Sequence, residues 1–123
     1  TTRCESPSLR KLSKEPPGLK SIEWAAGLYE GEGYLTRYKN RWELAVKMTD
    51  LEVLQDFYAI VRCGVLRGPY HDPSQKKHHK PYYRWRTYNK QEIFDLVAEF
   101  YPLMCERRRA KFDEFLTHYQ NGY

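Results

Sequence analysis

Apolar residues recur along the chain either every three to four positions, as in a helix, or every second position, as in a strand. These two patterns alternate and predict four helices and four strands. The first helix is predicted to begin after Ser21, because serine is a good N-cap, and to end in the Gly31–Gly33 region, where glycine eases the backbone out of a helix. A spacing of two then marks residues 34–39 and 42–48 as the strands of a hairpin. The chain therefore opens with a helix and two paired strands.

The second half repeats this order and adds a helix. Its predicted elements are a helix over 50–62, a hairpin of 65–70 and 81–88, and helices over 90–101 and 105–119. Thr49-Asp50 and Asn89 are the expected N-caps, and Leu51, Leu54, Phe57, Tyr58 and Val61 form the apolar stripe of the helix over 50–62. Helices and strands mixed in this way predict an α+β fold, in which two hairpins form one antiparallel sheet with helices on one face and the other face open.

The 123 residues suit one domain with one core, preceded by a basic, proline-containing stretch. Residues 1–20 are interpreted as a flexible N-terminal arm, either a disordered tail or an arm that lies on a polyanion, and residues 21–123 as a single domain. No apolar run is long enough to span a membrane, no secretory signal is evident, and the three cysteines show no CxxC spacing. We expect an intracellular protein that is neither secreted nor bound to a membrane.

Positive charge is concentrated in the predicted strands. Residues 34–47 carry four basic side chains against one glutamate, and residues 62–90 carry eight against one aspartate. The whole chain has a net charge of only +5, so the helices are acidic. A solvated surface normally mixes the two signs, whereas a basic face interleaved with tyrosines is typical of nucleic-acid binding. The alternative is a charged sheet face that has no partner.

Two glutamates, each followed by a glycine, end the first predicted helix. In AAGLYEGEG, Ala25 to Gly33, small residues lead into Glu30-Gly31-Glu32-Gly33. This segment resembles the signature of the LAGLIDADG homing endonucleases, a helix that ends in an acidic residue, a small residue, a second acidic residue and a glycine. The predicted order of elements over residues 22–104 matches the family as well.

The resemblance implies the family's α-β-β-α-β-β-α fold with a further helix, in which a saddle-shaped sheet holds DNA on the face opposite the helices. It implies a homing endonuclease, or meganuclease, encoded by a mobile genetic element. Such an enzyme hydrolyses phosphodiesters of a long, near-palindromic double-stranded DNA target. The chain has a single motif, so the resemblance implies the homodimeric type.

Small residues on the motif helix suggest where two chains would meet. A narrow helix face lets a second helix approach closely. The predicted dimer interface consists of Ala25, Ala26, Gly27, Glu30 and Gly31. The alternative is that this face packs inside its own domain.

The resemblance maps the catalytic metal ligand onto Glu32, the second acid of the signature. Two Glu32 side chains near a two-fold axis would repel unless a cation joins them, and Mg²⁺ or a related divalent ion such as Mn²⁺ or Ca²⁺ suits oxygen ligands. Lys90 is the candidate for the basic residue that often completes such sites. Met48 stands where relatives often have glutamine, and because a thioether is a poor partner for water, it weighs against cleavage but not against binding.

DNA contacts are expected on the open sheet face. Strand alternation sends Arg84 and Arg86 to that face and Trp85 to the core. In the first strand an inward Leu35 leaves Arg37 misplaced unless a bulge intervenes. The predicted DNA-binding set is Tyr34, Thr36, Arg37, Tyr38, Arg41, Glu43, Lys47, Arg67, Lys76, Lys77, Lys80, Tyr82, Arg84 and Arg86.

Two other functions remain open at this point. One is a non-cleaving nucleic-acid binder on the same fold, either a transcriptional regulator or a group I intron maturase. The other is a protein-interaction module that only dimerises through the small-residue helix. Steeply salt-dependent DNA binding would separate the endonuclease and the binder from the interaction module.

Overall fold

A computed structural model of the chain describes residues 21–71 and 80–122, which form one antiparallel sheet and the helices that cover it. The helices are α1 (Ile22–Glu32), α2 (Leu51–Val61), α3 (Lys90–Phe100) and α4 (Glu106–Gln120), with a 3-10 turn at Tyr101–Leu103. The strands are β1 (Gly33–Tyr38), β2 (Arg41–Met48), β3 (Val65–Tyr70) and β4 (Tyr82–Thr87). The predicted arm and the predicted DNA contacts Lys76 and Lys77 lie outside the described residues.

Side-chain caps fix where the first three helices begin. Ser21 Oγ accepts a hydrogen bond from the amide of Trp24 at 3.2 Å. Asp50 Oδ1 accepts one from the amide of Val53 at 3.3 Å. Asn89 Oδ1 accepts two, from the first turn of α3, at 3.0 Å each. Each cap satisfies amides that have no partner within the helix, and the three predicted helix starts are confirmed.

The two hairpins join through their inner strands, in the order β1-β2-β4-β3. All neighbouring strands are antiparallel. Gly33 at the start of β1 lies opposite Val46, and Val46 lies opposite Trp85 of β4. The predicted α+β fold with a four-stranded antiparallel sheet is confirmed.

The core fills the space between the sheet and the helices. Leu35, Leu44, Val46 and Trp85 point from the sheet into this core and are buried. Phe57 of α2 packs edge-on against Trp85, with ring centroids 4.9 Å apart. The predicted stripe of α2 was wrong at one position, since Tyr58 is 41% exposed. It follows Phe57 directly, so a 100° step turns its side chain away from the sheet.

Helix α4 returns across the sheet and packs on β2. Trp42 of β2 is buried, and its indole Nε1 donates a hydrogen bond to Nδ1 of His118 at 2.8 Å. Phe115, one turn earlier on α4, meets the Trp42 ring edge-on at 5.5 Å. This packing places the first turn of α4 beside the end of α1.

Candidate nucleic-acid interface and carboxylate site

The register of the sheet collects charged and aromatic side chains on the face away from the helices. Lys47 lies opposite Arg84, and Arg84 lies opposite Arg67. Ala45 lies opposite Arg86 and Tyr34, and is fully buried in the middle of this open face. A small central residue lets longer side chains close over it. The strand parity predicted for β2, β3 and β4 is confirmed.

Stacking against tyrosines holds the cations of β2 and β4 in place. Lys47 Nζ lies 4.2 Å from the ring centroid of Tyr82. The guanidinium carbon of Arg84 lies 5.7 Å from the centroids of both Tyr82 and Tyr70. The two tyrosine rings are themselves 5.4 Å apart. A cation that is already held over an aromatic ring keeps its charge, and its side chain loses little conformational freedom when it binds an anion.

A second group of cations surrounds Tyr88, just beyond the end of β4. The guanidinium carbon of Arg41 lies 3.8 Å from the Tyr88 centroid, and that of Arg86 lies 5.3 Å from it. Arg86 also pairs with Glu43 at 3.6 Å. The tyrosines predicted for this face included Tyr70, although not as a DNA contact, and sequence reasoning missed Tyr88. The signal was present, because Tyr88 has the same strand parity as Arg84 and Arg86.

The outer strand β1 corrects one predicted contact. Thr36 lies opposite Glu43 and shares the open face, but Arg37 lies opposite the inward-facing Trp42. Arg37 therefore projects to the helix side, where its guanidinium carbon is 5.9 Å from the Trp42 ring and its Nε donates to the carbonyl of Lys39 at 2.8 Å. The structure shows no bulge between β1 and β2, so the predicted placement of Arg37 on the open face was wrong.

The remaining predicted contacts occupy the rim of the face. Tyr38 is 75% exposed at the end of β1, opposite Arg41. Lys80 is exposed just before β4. Burial, with the charge of Glu43 as the second cause, raises the pKa of Tyr34, so its hydroxyl stays protonated as a hydrogen-bond donor.

The two carboxylates of the motif lie where α1 passes directly into β1. Glu32 is the last residue of α1 and is exposed. Glu30 is half-buried, and its Oε2 is buried without a hydrogen-bond partner in the described part of the chain. Gly33 forms both the C-cap of α1 and the first residue of β1, so the carboxylates and the cationic sheet face belong to one continuous segment.

Arg108 of α4 closes this helix end. Its Nη1 donates to the carbonyl of Gly33 at 2.7 Å, and its Nη2 donates to the carbonyl of Glu30 at 2.8 Å. No local sequence signal predicts this contact, because 75 and 78 residues separate the partners.

The small residues of α1 pack mainly within their own domain. Ala25 and Ala26 are 0% and 1% exposed and belong to the core, and Gly27 is also buried. A residue that its own chain covers has no surface for a second helix, so the prediction of interface contacts at Ala25, Ala26 and Gly27 is corrected. Gly31 differs, because it is exposed and a Cβ placed there would meet no atom within 4 Å.

Comparison with known proteins finds this architecture in a solved structure. No family model matches the chain, and no curated protein matches it. Among solved structures, the chain matches one described as the crystal structure of a homing endonuclease, I-TnaI. The TM-score is 0.57 and the identity 21%, over 79% of this chain and 69% of that chain. The chain has a homing-endonuclease fold. At this identity the likeness concerns the fold, and function must be argued from the side chains.

The metal ligand expected from the sequence is the single carboxylate of Glu32. No group of three or more histidine, cysteine, aspartate or glutamate side chains converges within residues 21–71 and 80–122. The exposed carboxylate of Glu32 is an oxygen donor of the kind that Mg²⁺ accepts. One carboxylate per chain suits an ion that completes its shell with phosphate oxygens and water, so the donor fits this role.

Two further positions bear on the predicted cleavage chemistry, Lys90 and Met48. Lys90 is exposed at the first position of α3, and its catalytic role stays a prediction. Met48 ends β2 and packs partly buried against the core.

No helix within the described ranges has the length and apolar character that crossing a membrane requires.

Proposed function

We propose that the chain is a site-specific DNA endonuclease of the single-motif LAGLIDADG type, which acts as a metal-dependent homodimer on a long, near-palindromic double-stranded target. One observation carries the proposal. The exposed Glu32 carboxylate ends a helix that continues without a loop into a strand of the cationic sheet face. A duplex on that face would have its phosphates within reach of Glu32.

Different side chains would bind the DNA and the metal ion. Lys47, Arg67 and Arg84 hold and orient the duplex, with lysine as a point contact to phosphate and arginine able to pair with guanine edges. Glu32 supplies the oxygen ligand. A bound Mg²⁺ would neutralise charge at the phosphate and favour ionisation of a water. Cutting at a defined site in this way would serve a mobile genetic element.

Gly31 supports the dimer. It is exposed in the last turn of α1, and a Cβ placed there would meet no atom within 4 Å. A second α1 could therefore pack closely against this turn. Two chains would then present two Glu32 side chains, one for each DNA strand.

Met48 favours a second candidate, a non-cleaving nucleic-acid binder on the same fold, either a transcriptional regulator or a group I intron maturase. A thioether packed against the core offers a reactive water no useful hydrogen bond. The cationic face would then bind nucleic acid while cleavage is absent.

Cleavage of a randomised double-stranded DNA library tests these alternatives. The wild type, Glu32→Gln and Glu99→Gln are each assayed with Mg²⁺ and with EDTA. Glu99 is a matched control, because it is exposed and lines a cleft beside Ile22, at the other end of α1 from Glu32.

We expect discrete Mg²⁺-dependent cuts in the wild type and in Glu99→Gln, with loss of cutting in Glu32→Gln. Tight binding without cutting in all three proteins would support the binder. Absence of DNA binding at moderate salt would overturn the endonuclease and the transcriptional regulator, and absence of RNA binding as well would overturn the maturase.

A further inference from the structure

Arg108 joins α4 to the end of the motif helix through two main-chain oxygens. Its Nη1 reaches the carbonyl of Gly33 at 2.7 Å and its Nη2 that of Glu30 at 2.8 Å. The planar guanidinium thereby spans the last turn of α1 and the first residue of β1. Two short hydrogen bonds from one rigid group fix both the distance and the orientation of the guanidinium relative to the end of α1.

The end of α1 needs a positive charge that its own sequence does not supply. The last carbonyls of a helix lack partners within it and carry the negative end of the helix dipole. Glu30 and Glu32 add two carboxylates, and the last turn of α1 has no basic residue. Arg108 places a cation against this end from another helix, so it offsets the dipole and satisfies two carbonyls.

Packing holds the guanidinium where it is. Its carbon atom lies 5.6 Å from the ring centroid of Tyr29, which is buried. The Tyr29 ring lies 5.6 Å from Phe100 and 5.7 Å from Phe112. Phe112 sits one turn after Arg108 on α4, so the same helix carries both the guanidinium and part of the wall behind it.

The adjacent arginines have different surroundings. Arg109 donates from Nε and Nη2 to the carbonyls of Tyr101 and Pro102, at 3.0 and 3.1 Å, and so braces the 3-10 turn. Arg107 is exposed. Of these three consecutive arginines, Arg108 is the one bonded to the carboxylate end of α1.

We propose that Arg108 is a positioning residue that holds Glu32 in place for DNA cleavage. The inference rests on the proposed function, because it assigns a supporting contact to the proposed metal ligand. Arg108 donates to backbone oxygens behind Glu32, so it acts through the helix end.

The test compares Arg108→Gln and Arg108→Lys with Arg107→Gln, which removes the same charge at the neighbouring exposed position. The first readout is hydrogen exchange of the amides of residues 29–34, which needs neither DNA nor metal. The amide of Gly33, which donates to the carbonyl of Tyr29, is the central probe. Amides of β2 report whether the whole domain has loosened.

We expect exchange about tenfold faster at residues 29–34 in Arg108→Gln, with β2 and Arg107→Gln unchanged. Arg108→Lys keeps the charge without the planar fork, and should fall between the wild type and Arg108→Gln. On a cleavable target at saturating DNA and Mg²⁺, we expect the cleavage rate of Arg108→Gln to fall by about 10- to 100-fold, with DNA affinity within about threefold of the wild type.

Other outcomes separate the two proposals. Unchanged exchange at residues 29–34 in Arg108→Gln would overturn the positioning role. So would equal losses in DNA affinity and cleavage rate, or a loss of the same size in Arg107→Gln. A wild type that binds DNA without cutting would overturn the endonuclease, and the exchange arm would still show whether Arg108 holds the helix end.

Discussion

Gly33 provides a severe test of how tightly the motif helix joins the sheet. Its φ of −88° is available to any residue, so backbone freedom does not explain the glycine. A Cβ at this position would lie 2.8 Å from Cγ of Tyr29, and closer still to Cδ1 and Cε1. The Tyr29 ring is 1% exposed and packs against Phe100 and Phe112, so it cannot swing aside. We therefore predict that Gly33→Ala overpacks the core.

The size of the effect follows from this confinement. Forcing a methyl group into a packed core typically costs about 1–3 kcal/mol. Contact with a rigid aromatic ring places this substitution at the upper end, about 3 kcal/mol. For a domain of this length, each kcal/mol lowers Tm by roughly 3–5 °C, so we expect a fall of about 10 °C.

Gly31→Ala is the matched control. It makes the same substitution two residues earlier, within the last turn of α1, where an added Cβ meets no atom within 4 Å. Alanine is favoured over glycine inside a helix by up to about 1 kcal/mol. Because Gly31 would face the partner in the proposed dimer, thermal unfolding is followed by circular dichroism at protein concentrations where the chain is monomeric, and the two variants should then shift Tm in opposite directions.

A double variant locates the clash. Adding Tyr29→Leu to Gly33→Ala should cost less than the two single changes combined, because removing the ring removes the overlap. A Gly33→Ala domain as stable as the wild type would refute the close-packing argument. Simple additivity of the two changes would show that the strain lies elsewhere.

Two further predictions concern charge. Lys47→Ala should reduce the slope of log Kobs against log salt by about 0.9 in duplex-DNA binding, the contribution of one phosphate contact; an unchanged slope would remove Lys47 from the interface. Burial, with the charge of Arg37 as the second cause, lowers the pKa of His118, whose Nδ1 accepts the Trp42 indole hydrogen. The unfolded chain therefore takes up this proton first as pH falls below about 6.5, and stability is lost between that pH and the lower pKa of the folded state. The drop in urea midpoint between pH 7.5 and 5.5 should be smaller in His118→Gln, and an equal drop would exclude this histidine as its cause.

Local signals predicted the elements and the orientation of most strands. Ser21, Asp50 and Asn89 cap helices because each side chain reaches an amide two or three residues away. The alternation in β4 put Trp85 in the core and Arg84 on the open face because a strand reverses its side chains at every residue. Both rules act within a few residues, so the sequence is enough to apply them.

Contacts between distant segments could not be predicted in the same way. Arg37 was assigned to DNA by its charge, although an inward Leu35 already implied the other face. Ala25 and Ala26 have the small side chains that suit either a second helix or the chain's own core, and sequence does not distinguish the two. Arg108 bonds to residues more than 70 positions away, and its neighbours Arg107 and Arg109 have the same side chain in different surroundings.

The distribution of charge in the fold explains why the helix end and the sheet face would depend on each other under the proposed function. Phosphates drawn to Lys47 and Arg84 would bring negative charge towards Glu32, and like charges at close range repel. Arg108 offsets the negative charge at the end of α1 by donating hydrogen bonds to the carbonyls of Glu30 and Gly33. It does not pair with the exposed Glu32 carboxylate, which would remain charged on the side facing DNA. A divalent cation between Glu32 and a phosphate would remove this repulsion. Under the proposed function, dependence on such a cation is therefore expected from where the charges lie as well as from the chemistry of cleavage.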